Sequence, residues 1–151
     1  MKRVLITAWI LAVASIGLAT VAQAVQPAGQ KPYVHVSPTP HSLDLGTAPG
    51  PGFYDIPKAL TLRVESNCLH GPIMISATDL TGSSGRSIPP ERFFVRSPAT
   101  WGFVPMSRSV AVSKTQSGCH DIVLDFQVET GTEEMAGTYQ GALTVTVMPP
   151  V

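Results

Sequence analysis

Asp121-Ile122-Val123-Leu124-Asp125-Phe126-Gln127-Val128-Glu129 decides how the rest of the chain is read. Ile122, Leu124, Phe126 and Val128 recur at every second position, with Asp121, Asp125 and Glu129 between them beside Val123 and Gln127. A period of two places one set on a buried face and the other in solvent, which is a half-buried β-strand. Past a turn around Gly131–Gly137, Tyr139, Leu143, Val145 and Val147 keep one parity while Thr144 and Thr146 take the other. Pro149 and Pro150 end that strand, because proline has no N–H for a ladder.

The same alternation extends upstream. Leu60, Leu62 and Val64 oppose Thr61, Arg63 and Glu65, and Ile73, Ile75 and Ala77 oppose Met74, Ser76 and Thr78. Phe93 with Val95, and Val110 with Val112, mark two shorter strands. Tyr33–Val36 and Ser42–Leu45 are two more inside a segment whose prolines and glycines exclude a helix. Gly82–Gly85 is expected as an exposed loop. Beyond the first 24 residues no segment shows a run of apolar residues at i, i+3, i+4, i+7. Seven or eight short strands with one apolar face predict an all-β, immunoglobulin-like antiparallel sandwich, a closed barrel being the alternative. On this count the chain supplies every strand of its own sandwich.

The first 24 residues have a different character. Lys2 and Arg3 precede an uncharged apolar run from Val4 to about Ala22, closed by Ala22-Gln23-Ala24. This is the pattern of an export signal cut before Val25; an uncleaved membrane anchor is the rival reading. Residues 25–41 then form a Pro-rich extension and 42–151 the sandwich domain. Cleavage removes two of the 10 basic residues and none of the 10 acidic, leaving 8 against 10 and a net charge of −2. That balance, with no Lys/Arg cluster, argues against nucleic acid. The expected product is exported, to a periplasm, cell surface or medium, with no membrane span after cleavage.

Cys68 and Cys119 are the two cysteines. In an exported chain an even number predicts a disulfide, here closing about 52 residues and stabilising by roughly 4 kcal/mol on the chain-entropy argument. His70 and His120 lie beside them, so a zinc or copper site is the competing reading. Neither the C-x₂₋₄-C nor the H-x₃₋₅-H spacing is present, and the preferred expectation is a disulfide flanked by two exposed turn histidines.

No catalytic motif is found: Gly82-Ser83-Ser84-Gly85 is not a nucleophile elbow, and no H-E-x-x-H, P-loop or S-x-x-K occurs. The chain is therefore expected not to be an enzyme and to need no cofactor. Asp121, Asp125 and Glu129 recur every four residues, about 13 Å apart on a strand, too far to share a calcium ion. Phe53 and Tyr54 in one Pro/Gly-rich loop, and Trp101 and Phe103 in another, are the candidate binding residues. They either cap the open end of the core or grip a protein or carbohydrate partner.

Ala136-Gly137-Thr138-Tyr139-Gln140-Gly141-Ala142-Leu143-Thr144-Val145-Thr146-Val147 resembles the closing strand of secreted bacterial Ig-like domains and the end of spore coat protein U and Csu-type pilin subunits. Ser42-Leu43-Asp44-Leu45-Gly46 is similar to their opening strand, and Ala136–Tyr139 to an Ig tyrosine corner. The resemblance bears on the fold. The export signal and the lack of a catalytic motif make a non-enzymatic exported structural or binding module the leading expectation, with a periplasmic metal-binding protein as an alternative. The resemblance also implies a further alternative, a pilus or coat subunit that self-associates by strand addition through its N-terminal segment. Pro27, Pro32, Pro38 and Pro40 interrupt that segment and leave only Tyr33–Val36 free to pair.

Overall fold

The computed structural model of the chain describes residues 4–12, 30–83, 85–134 and 137–148. Lys2, Arg3, the Ala22–Ala24 cleavage site, Pro27, Ser84, Ala136 and Pro149–Pro150 lie outside the described residues. The strands are β1 Val4–Ala12, β2 Val34–Thr39, β3 Ser42–Ala48, β4 Gly52–Ser66, β5 Ile73–Ala77, β6 Leu80–Gly82, β7 Ser87–Ile88, β8 Phe93–Arg96, β9 Val104–Pro105, β10 Val110–Ala111, β11 His120–Thr130 and β12 Thr138–Val147. Among the described residues a single 3-10 turn, Pro90–Arg92, precedes β8. The molecule is thus all-β. The strands outnumber the seven or eight expected because two-residue pairings such as β7, β9 and β10 have no periodicity to display.

Two sheets form. One runs β10-β5-β12-β1-β3, with β6 beside β12 and β7 beside β6; the other runs β2-β4-β11-β8-β9. The pairings are antiparallel except for β1 with β12. One core lies between the sheets, with Leu60, Leu62 and Val64 of β4 and Leu124 and Phe126 of β11 meeting Ile73 and Ile75 of β5 and Leu143 of β12. Each of these side chains is completely buried, which stabilises by about 1.5–3 kcal/mol apiece. The alternation of β11 is the one its sequence predicts: Ile122, Leu124, Phe126 and Val128 are buried, and Asp121 and Val123 are exposed.

β4 departs from expectation. Gly52–Tyr54 belongs to the strand and not to a loop, because β11 continues to pair with it as far as Thr130↔Gly52. The interruption at Pro57 is absorbed by a register shift between Leu124 and Phe126 on the partner strand. Lys58 takes a positive φ of 50° there and donates its N–H to Asp125 Oδ1 at 2.7 Å. A bulge of this kind lets a ladder survive a residue that cannot donate.

Part of the Pro-rich extension is structural as well. β2 pairs along β4 from Val34↔Ser66 to Thr39↔Thr61 as an edge strand, where Pro38 is tolerated. Only Pro40 and His41 separate it from β3, which lies in the other sheet.

Candidate functional site

The first site is a place in a sheet. β1 lies between β12 and β3, in parallel register with β12 from Leu5↔Thr138 to Ala12↔Val145. On its other side it is antiparallel to β3, from Val4↔Ala48 to Trp9↔Ser42. Adjacent strands are about 4.8 Å apart, so β3 and β12 stand about 10 Å from each other and cannot pair directly. The flanks are apolar: Tyr139, Leu143 and Val145 of β12 and Leu43, Leu45 and Ala48 of β3 belong to the buried core. Ile6, Ile10 and Ala12 stand in register with Tyr139, Leu143 and Val145. The chain does supply every strand described, but one of them comes from outside the segments that alternation marks. The first sheet is continuous only through a segment of the expected export signal.

Gly82 and Gly141 fit β12 closely to its neighbours. A Cβ on Gly82 would stand 2.8 Å from the ring of Tyr139, and one on Gly141 would stand 2.9 Å from the Asp79 carbonyl oxygen. Thr78 Oγ1 accepts the Ala142 N–H at 2.9 Å, holding β12 against the β5–β6 connection.

The second site is the pole that carries the cysteines, and it corrects the predicted disulfide. Cys68 and Cys119 are free thiols. The register His120↔Val64 carries Cys119 opposite Glu65, three residues from Cys68. Cys68 also faces away from β11: its Sγ donates to the Tyr33 carbonyl at 3.5 Å, on the β2 side of β4. Ser66 occupies the junction instead, with Oγ accepting the Gly118 N–H at 3.0 Å. Burial pushes the Cys68 thiol up, against the opposing effect of its Tyr33 hydrogen bond.

The histidines are likewise not two exposed turn residues. His70 is wholly buried because its backbone forms a bridge with Gln116, and its ring stacks on His120 with centroids 5.8 Å apart and planes 10° apart. His70 Nδ1 bonds the Gly71 carbonyl at 2.7 Å, and His120 Nε2 bonds the Gln116 amide. His70 Nε2 is buried without a partner. Among the described residues no group of three or more His, Cys, Asp or Glu draws together as a metal would require.

The candidate aromatic residues do not converge. Phe53 is exposed on the outer face of β4 and meets Phe94, ring centroids 6.2 Å apart. Tyr54 turns the other way, packs on the core and donates its hydroxyl to the Gly50 carbonyl at 2.7 Å. Phe103 lies under the Arg96 guanidinium, 4.6 Å from its ring centroid, a cation–π contact. Trp101 stands fully in solvent at the tip of the β8–β9 connection. That connection is held by Thr100 Oγ1, which accepts the Ser97 N–H at 2.9 Å, and by Ser97 Oγ, which accepts the Ala99 N–H at 3.1 Å. Asp125, on the same outer face, is held below the usual carboxylate range by the Lys58 N–H and by Arg96.

Sequence reasoning missed the β1 position because Val4–Ala22 carries the stronger pattern of an export signal. It missed Phe94 because a ring inside a short strand attracts no notice beside Phe93 and Val95.

No family model matches the chain, and no curated protein is significantly similar to it in sequence. Among the described residues no helix is long and apolar enough to cross a membrane.

Proposed function

We propose that this chain is an exported, non-enzymatic structural subunit whose immunoglobulin-like sandwich is finished by a strand from another polypeptide. The observation that carries the reading is β1. A stretch with the pattern of a cleavable signal occupies an interior place in a sheet, hydrogen-bonded on both sides. Cleavage before Val25 takes that strand away. The facing edges of β3 and β12 then lose their ladder partners, and an apolar cleft one strand wide opens over Leu43, Leu45, Leu143 and Val145. An edge of that kind recruits an extended segment. The passage from β2 to β3 between sheets, and the buried Tyr139 at the start of β12, support the immunoglobulin-like description.

The experiment compares residues 25–151 with residues 1–151, both made without export so that the longer form keeps its signal. The shorter form is expected to melt lower and to bind an apolar dye at its open cleft, without forming regular oligomers. The peptide Val-Leu-Ile-Thr-Ala-Trp-Ile-Leu-Ala, added in trans, should return it to a stable fold by mass action. A shorter form that melts with the longer one and ignores the peptide refutes the proposal.

A further inference from the structure

Resting on that reading, we infer that the chain takes a strand but does not give one: its partner is a different protein presenting an uncharged, alternately apolar strand of about nine residues, seated parallel to β12.

The requirement comes from the place itself. β1 fills it with nine residues, Val4–Ala12, none of them charged. It is flanked on both sides, so every occupant residue needs its N–H for a ladder, and a proline in the middle is excluded. Apolar residues must recur at alternate positions to match the buried Tyr139, Leu143 and Val145 on one flank and Leu43 and Leu45 on the other.

A second copy cannot meet these terms with its own N-terminal segment. Ahead of β2 the mature chain reads Val25-Gln26-Pro27-Ala28-Gly29-Gln30-Lys31-Pro32-Tyr33. Neither parity of those nine residues is apolar throughout, and two of them are prolines. The far end is also committed to its own fold. Tyr33 donates its N–H to Asn67 Oδ1 at 2.8 Å, and Asn67 Nδ2 donates to the Lys31 carbonyl at 3.0 Å. The next candidate, Val34–Thr39, is already β2, paired over its length with β4, and carries Pro38. A chain that accepts without donating through its N-terminal segment closes a series of strand-linked subunits, or pairs one to one with a dedicated partner. It does not propagate itself.

The test uses the processed, exported protein and three probes. The first is the nonapeptide Val4–Ala12 bearing a lysine tail for solubility and a photo-crosslinker at its N-terminal end. It should bind one to one and label the region of Thr138, with an Ile10→Asp version binding at least about tenfold more weakly. Labelling near Val147 instead overturns the parallel assignment. The second is unheated electrophoresis of the processed chain alone, which should show no regular ladder. A heat-sensitive ladder that disappears when residues 25–33 are deleted means that the chain donates; the inference falls while the strand-accepting function stands. The third is a graft in which residues 25–33 are replaced by Val4–Ala12 and a flexible linker, expected to create a ladder the natural chain lacks. Failure of the peptide to bind at all removes the strand-accepting function and this inference together.

Discussion

Glu134 is nearly enclosed and takes two hydrogen bonds from Arg92, at 2.6 and 3.2 Å, together with the Gly131 N–H. Burial works against its charge, but Arg92 and the Gly131 N–H outweigh it and hold the carboxyl below the ordinary glutamate range. A depressed carboxylate stabilises the fold above its unfolded pKa and loses that contribution as pH falls through the folded one. Glu134→Gln should therefore cost about 1–2 kcal/mol at pH 7. The gap from the parent should narrow as denaturant midpoints are followed from pH 6 down to pH 3. Gly141→Ala presses a methyl against the Asp79 carbonyl and should lower stability by about 1–3 kcal/mol. Thermal melts of Gly141→Ala beside Gly46→Ala test it from two sides: Gly46 has open space but a φ of 81°, so its cost is backbone strain alone. The thiols offer a third check. A colorimetric thiol reagent should titrate two groups in the native protein, Cys119 first because it is exposed and Cys68 more slowly because burial disfavours its thiolate. At this scale the sequence was a poor guide. Two cysteines in an exported chain suggest a bridge, yet only the register of β4 against β11 shows them three residues out of step. His70 looked like a surface turn residue until its bridge to Gln116 buried it.

Strands were far more legible, for a physical reason. β11 and β12 each have one face in the core and one toward water, so composition alternates and announces the element. The signal fades where a strand's order comes from its neighbour. Gly52–Tyr54 has no pattern of its own and is extended because β11 runs beside it. β7, β9 and β10 are two-residue pairings that no window resolves. β1 was concealed differently: a run apolar at nearly every position contains the alternation a strand needs, but reads first as an export signal. The bulge in β4 gives the element-scale prediction. Lys58 sits at φ 50°, where a side chain is disfavoured and glycine is not. Lys58→Gly keeps the N–H that Asp125 accepts, and should leave the denaturant midpoint unchanged or raise it by up to about 1 kcal/mol equivalent. Lys58→Pro removes that N–H and should be clearly destabilising in the same assay.

The whole molecule is two sheets around one core, and that much follows from alternation and turn spacing alone. What alternation does not give is which strands neighbour which, and therefore whether a sheet is complete. Strand count suggested a self-sufficient fold, whereas topology shows the first sheet held together by residues 4–12. The aromatic residues divide in the same way. Tyr54 packs on the core while Phe53 and Trp101 face solvent, and Phe53 and Tyr54 take opposite faces because successive residues of β4 alternate. One feature of the fold also bears on how the molecule can be hung from anything. Tyr33 is bonded to Asn67, and the Met148 N–H reaches the Pro72 carbonyl at 3.3 Å. Once residues 1–24 are removed, as we propose, the described backbone runs in at Tyr33 and out at Met148 beside the same short turn. A tether attached at either terminus pulls on one end of the sandwich, and tension between the two termini is carried locally across that turn without stretching the long axis. The far end, around Gly50 and Gly131, then swings free, like the head of a bell hung from its crown.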